Sequence, residues 1–165
     1  MADNSAGDFA RPAARIVNLD ALRPALGRLF SERGARLAYL FGSQAIGQTH
    51  DESDVDVAVL PREGLTQDEQ WTERLELIGA LSSVFQTDHV DLVLLDGAPP
   101  LLAYEVLRTG VLLHCPDEAT RIEFQVRTLR EYEDTAPLRR LLAEAMRERL
   151  RNGAWGKPVV SRRQT

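Results

Sequence analysis

Two aspartates, Asp54 and Asp56, stand one residue apart in the apolar run DVDVAVL at 54–60. Along a strand, residues two apart project to the same side. The two carboxylates therefore repel, and each raises the proton affinity of the other. A divalent cation removes the conflict. Mg2+ takes oxygen ligands and keeps coordination places for water and substrate phosphate. Two such ions about 3.5–4 Å apart clamp the attacking and leaving oxygens of a phosphoryl displacement. Upstream, Gly42 and Ser43 follow a second apolar run, RLAYLF at 36–41. Glycine lets the backbone turn tightly against a ligand. The N–H groups of such a turn, where a helix starts, hold phosphate oxygens. The Ser43 hydroxyl adds an adjustable donor. A third carboxylate, Asp91, lies among aliphatic residues in HVDLVLL at 89–95. It suits a metal ligand or the acceptor of a nucleophile's proton.

Each residue also has a purely structural reading. Asp54 and Asp56 suit solvated positions opening a strand, and Asp91 a strand-end carboxylate bonded to backbone. Gly42 suits a turn alone, and Ser43 a helix cap. His89 shares the strand parity of Asp91 but reads first as a partly exposed side chain, as does His50 in the loop. His114 and Cys115 lack partners at zinc-site spacing.

The elements that must position these groups follow from periodicity. Leu19, Leu22, Leu26, Leu29 and Phe30 form a helical stripe, capped by Asn18 or Asp20, with Pro24 expected in the first turn. Residues 36–41, 54–60 and 89–95 read as strands, and 111–115 as a possible fourth. Residues 42–53 read as a loop with a short helical turn. Thr66 and Glu69 form a capping box for a helix whose expected core stripe is Trp71, Leu75, Ile78, Leu81 and Phe85. Pro100 opens a short helix that Gly110 stops. Beyond Pro116 the chain reads helical, with Asp117 as N-cap and Pro137 dividing two helices. Leu138, Leu141, Leu142 and Ala145 share one face of the last helix. Ile122, Val126 and Leu129 share a face of the helix before it, with Phe124 pointing elsewhere, which leaves apolar surface for a partner. The expected organisation is a flexible N-terminus (1–17), a catalytic domain (18–115), a helical extension packed on the same domain (116–151) and a flexible tail (152–165).

Gly-Ser, a ten-residue gap and Asp-x-Asp resembles the signature of the DNA polymerase β-like nucleotidyltransferases. With Asp91 and the order of elements, the likeness extends over about residues 36–115. The chain is most similar to the minimal nucleotidyltransferases that act as antitoxins to HEPN-domain RNase toxins, and the helical end (RIEFQVRTLREYED after VLLHC) is similar to that branch. The resemblance implies an α/β (α+β) fold with a small mixed sheet flanked by helices. It implies Asp54, Asp56 and Asp91 as catalytic metal ligands for Mg2+, with two ions expected, and Gly42 and Ser43 as the nucleotide-binding pair. It implies AMP transfer from ATP to a tyrosine hydroxyl of the toxin, with release of pyrophosphate. One departure stands out. Family members commonly carry Ala-Arg-Gly after Gly-Ser-x, and here Ile46 takes the arginine position. Two readings of this departure stay open: a weaker grip on phosphate, or a packing substitution at a scaffold position.

Composition narrows the alternatives. The net charge of −5 argues against a large nucleic-acid footprint and against RNA-end extension. Aminoglycoside-modifying relatives carry extra substrate-binding elements that are not evident here. An antitoxin acting by binding alone remains a reading of another class. The lone Cys115 excludes an internal disulfide and fits a reducing compartment. No secretory signal and no apolar run of about 20 residues is evident, so a cytoplasmic protein without membrane partner is expected.

Overall fold

A computed structural model describes residues 17–47 and 54–152. The expectations for residues 1–16, His50 and the rest of 48–53, and the tail from 153 lie outside the described residues.

Helix α1 (Leu19–Glu32) is capped by Asn18, whose Oδ1 accepts from the Ala21 N–H at 3.3 Å. Pro24 falls deeper than the first turn, because the helix begins at Leu19. Strand β1 (Leu37–Phe41) runs directly into the single-turn helix α2 (Gly42–Ala45). Then follow β2 (Val55–Leu60), α3 (Gln67–Phe85), β3 (Val90–Leu94), α4 (Pro100–Thr109) and β4 (Val111–His114). The four strands lie in the order β3-β2-β1-β4. Strand β1 is antiparallel to both neighbours, and β2 and β3 are parallel. This is the small mixed sheet the sequence implies.

Alternation along the strands splits the core into two layers. Ala38, Leu40, Val55, Val57, Val59, Val90 and Leu92 face α1 and α3, where Leu26, Phe30, Leu77, Leu81 and Phe85 complete the layer. Leu37, Tyr39, Ala58, Leu60 and Leu95 face the other way, against Ala103 and Val106 of α4 and Phe124 of the next helix. Asp56 and Asp91 have the parity of this second face.

The capping box of α3 forms as expected, with Thr66 and Glu69 bonded reciprocally. Its core stripe differs from the sequence expectation. Leu77, Leu81 and Phe85 are buried, whereas Trp71 and Leu75 are exposed. The buried phase runs 74, 77, 81, 85, one residue out of step with Trp71 and Leu75. Arg74 fills the inward position, and its Nε donates to the Leu92 carbonyl at 3.0 Å. A long stem can cover apolar surface while its head finds a partner, so a charged residue sits where periodicity asks for an apolar one.

Helix α5 (Glu118–Asp134) starts on Asp117, whose carboxylate accepts from the Ala119 and Thr120 N–H groups. Phe124 and Thr128 are its buried residues, while Ile122, Val126 and Leu129 face outward. Helix α6 (Ala136–Arg151) follows after the single residue Thr135. Helical bonding runs through the junction: Thr135 N–H to Glu131 O at 3.2 Å, and Arg139 N–H to Thr135 O at 3.0 Å. Tyr132 is stacked on Tyr104 of α4 at 3.8 Å between centroids, and the Arg139 guanidinium lies 3.6 Å from the centre of the Tyr132 ring. Beyond this clasp α6 buries no residue. Among the described residues no helix is long and apolar enough to cross a membrane.

Candidate active site

The β1–α2 turn and the openings of β2 and β3 meet at one end of the sheet. In the parallel pair, Asp56 lies directly beside Asp91. In the antiparallel pair, Asp56 lies opposite Phe41. Gly42, the next residue, has φ +69°, a conformation that L side chains rarely adopt. A Cβ built on it would stand 2.1 Å from Asp56 Oδ2 and 2.9 Å from Asp56 Cγ. Glycine is thus required twice, by its dihedral and by the carboxylate pressed against it. Ser43 follows in the first turn of α2.

Asp54 immediately precedes β2 and is exposed, Asp56 is half-buried, and Asp91 is exposed. Burial, together with the negative charges of Asp91 and Asp54, pushes the Asp56 carboxyl above the usual carboxylate range. Such mutual repulsion marks a group that lacks its counter-charge. The Asp54 carboxylate is turned toward His89, with Oδ1 3.5 Å from Nδ1. The backbone repeats this link, because the Val55 N–H donates to the His89 carbonyl at 2.8 Å. Among the described residues, no three His, Cys, Asp or Glu side chains close into a ready-made ion cage. The donor set nevertheless fits Mg2+: three carboxylates, all oxygen, on adjoining strand openings, with Asp56 destabilised as a charge by the other two.

The fold thus gathers Gly42, Ser43, Asp54, Asp56 and Asp91 at one sheet end, the five residues singled out from sequence. The pairing of His89 with Asp54 was not singled out; the shared parity with Asp91 was its one signal. Ile46 closes α2 and is half exposed. His114 sits away from this end, bonded through Nε2 to the Ala35 carbonyl at 3.2 Å. Burial lowers its proton affinity.

Comparisons with known proteins show the family. Residues 26–119 match the family described as Polymerase beta, Nucleotidyltransferase. The chain is 36% identical over 98 residues to the protein adenylyltransferase MntA of Shewanella oneidensis, covering 59% of this chain and 66%, just under two thirds, of that relative. It is similar to a chain in a crystal structure of a toxin–antitoxin with AMP-PNP, at 28% identity and TM-score 0.60, covering 79% of this chain and 99% of that one. It is likewise similar to a chain of the tri-AMPylated Shewanella oneidensis HEPN toxin in complex with its MNT antitoxin, at 27% identity and TM-score 0.60, covering 78% and 98%.

Proposed function

The chain belongs to the polymerase beta nucleotidyltransferase family, and from that premise we propose that it is an antitoxin that transfers AMP from ATP to a tyrosine hydroxyl of a HEPN-domain RNase, thereby silencing it. The observation that carries this reading is the register that sets Asp56 beside Asp91 while Gly42 closes on Asp56. A fold gains nothing structural from bringing like charges together beside a turn that only glycine can make. A phosphoryl-transfer site needs both. The MntA relative and the toxin complexes support ATP as donor and a HEPN toxin as acceptor.

In this reading the Gly42–Ser43 turn offers backbone N–H groups and a hydroxyl to the triphosphate. Asp54, Asp56 and Asp91 hold Mg2+, which when bound neutralises charge on the transferred phosphoryl group and on departing pyrophosphate. Asp91, exposed at its strand opening, accepts the tyrosine proton. A tyrosine hydroxyl titrates near about 10, so an acceptor at the point of attack matters. One bond forms, from the phenolic oxygen to the α-phosphorus. One breaks, from the α-phosphorus to the bridging oxygen, which leaves with its electron pair in pyrophosphate. The catalytic unit spans residues 18–115, the helical extension 116–151 follows it, and the protein works in the cytoplasm.

The test uses ATP labelled in the α- or γ-phosphate, incubated with the cognate HEPN toxin. Label from the α position is expected on the toxin, and label from the γ position is not. Transfer undiminished by Asp54→Ala with Asp56→Ala removes the reading. A second reading, neutralisation by binding alone, is favoured by Ile46. Its half-exposed side chain stands where the family resemblance implies an arginine, and an aliphatic group there offers nothing to phosphate. Protection of the RNase's target by the double-aspartate variant without ATP supports that reading.

A further inference from the structure

Among the described residues, no element covers the stripe of large apolar side chains on helix α6. Leu138, Leu141, Leu142, Met146 and Leu150 are each 48–63% exposed. The helix packs chiefly against the end of α5. A solitary amphipathic helix of 16 residues is marginal in water and owes its stability to whatever buries its apolar face. Its charge is one-sided. Arg139, Arg140, Arg147, Arg149 and Arg151 stand against Glu144 and Glu148, a surplus of three positive charges in a chain whose net charge is −5.

That surplus decides between occupants. An isologous pair of copies would set arginine-rich rims against each other. A head-to-tail arrangement of copies, basic arm on acidic body, closes only where its rotation completes a ring and otherwise grows into a filament. A different protein with an apolar patch and an acidic rim satisfies both the stripe and the charge.

Position narrows the choice further. β4 pairs Val111 with Leu40 and His114 with Ala38, and so runs away from the carboxylates. Helix α5 starts at that far end, where Phe124 packs in one layer with Leu37 and Leu60. It then returns along α4 to the Tyr104–Tyr132 stack. From Phe124 to Tyr132 is about 12 Å of helix. From Leu60 back to Asp56 is about 13 Å of strand. The arm departs from α4, the helix that also meets α2 at the carboxylate end of the sheet.

We propose that α6 is the docking arm for the HEPN toxin, seating its leucine stripe in an apolar patch of the toxin with its arginines on an acidic rim. The proposal rests on the antitoxin reading given above. A transferase acting on a protein gains effective concentration when a remote surface holds the partner beside the site. The arm makes docking separable from chemistry.

The experiment titrates the full-length chain with the cognate HEPN toxin by calorimetry. It compares wild type, the pair Leu138→Asp/Leu142→Asp and the pair Arg140→Glu/Arg147→Glu. Binding of a fluorescent ATP analogue and far-UV helicity are measured in parallel. Both pairs are expected to weaken toxin binding by at least about tenfold and to raise the apparent KM for toxin. Nucleotide binding and helicity should stay as in wild type. Toxin affinity and KM unchanged in both pairs, with wild type binding and modifying the toxin, overturn the arm and leave the adenylyltransferase intact. A wild-type dimer that the leucine pair dissolves without loss of toxin affinity assigns the stripe to a second copy and overturns the proposal. Wild type that neither binds nor modifies the toxin removes the antitoxin reading, and the arm with it.

Discussion

Replacing Gly42 by alanine strains the site in two separable ways. The first is backbone. At φ +69° an L side chain costs about 1–2 kcal/mol. The second is steric. The new Cβ would stand 2.1 Å from Asp56 Oδ2, whereas ordinary van der Waals separation begins near 3.4 Å. The carboxylate must therefore retreat by more than an ångström or leave its rotamer, at about 0.5–1.5 kcal/mol more. Gly47 supplies the control, because it has φ +68° and, among the described residues, nothing within 4 Å of its would-be Cβ. Gly47→Ala is expected to lose about 1–2 kcal/mol and to keep most of its transferase activity. Gly42→Ala is expected to lose about 1.5–3.5 kcal/mol. Its AMP transfer should fall about 100-fold, the usual consequence of misplacing a catalytic group by an ångström. Urea denaturation gives the stability, and initial rates of AMP transfer to the toxin give the activity. In an Asp56→Ala background, where the offending oxygen is gone, the extra stability cost of Gly42→Ala should shrink to that of Gly47→Ala. If Gly42→Ala matches Gly47→Ala in both stability and rate, the carboxylate is not held against the turn and the proposed site geometry is wrong.

Other outcomes follow from the same structure. Asp56→Asn should abolish transfer yet raise the thermal midpoint of the metal-free protein at neutral pH. Burial and two like charges raise the folded-state pKa of Asp56, so the native chain holds this proton longer than the unfolded one. The group's contribution to stability therefore falls as pH rises from the unfolded to the folded value, and a thermal-melt pH series that lacks this trend for wild type minus Asp56→Asn contradicts it. Ile46→Arg should speed transfer at subsaturating ATP, read as a lower KM for ATP; a higher KM means that the half-exposed position does not face nucleotide. Phe124→Ala should cost about 3–5 kcal/mol because the ring is 3% exposed in the second core layer, whereas Val126→Ala on the opposite face should stay within about 0.5 kcal/mol by urea titration. Thr66→Ala should cost about 1 kcal/mol, since its hydroxyl caps α3 through the Glu69 N–H, and an unchanged midpoint would remove the capping account.

The site was legible because its logic is local. Two residues apart on a strand means one face, so Asp54 and Asp56 could be paired from spacing alone. Gly42 could be placed at a turn by its type, but its close approach to Asp56 could not. That approach depends on the register of β1 against β2, which puts Phe41 opposite Asp56. Asp91 was recognisable as an out-of-place charge, and only the parallel pairing of β2 with β3 brings it beside Asp56. His89 is exposed, as the sequence suggests, but nothing in the sequence says that the Asp54 side chain turns toward it. The helices show the same limit. Capping at Asn18, Thr66 and Asp117 depends on nearest neighbours and was readable. The inward face of α3 depends on where the sheet lies, and Arg74 takes a core-facing position that an apolar-only stripe assigns to its neighbours. The apolar face of α6 was visible in the sequence. Its lack of cover among the described residues depends on the fold, in which α5 and not α6 supplies the second layer through Phe124.

The most direct measurement is the intact mass of the cognate toxin after incubation with ATP, Mg2+ and either wild type or Asp56→Asn. The account predicts a gain of one or more whole AMP units on a tyrosine with wild type and an unmodified toxin with the variant. An unmodified toxin with wild type, or equal modification with both, would contradict it.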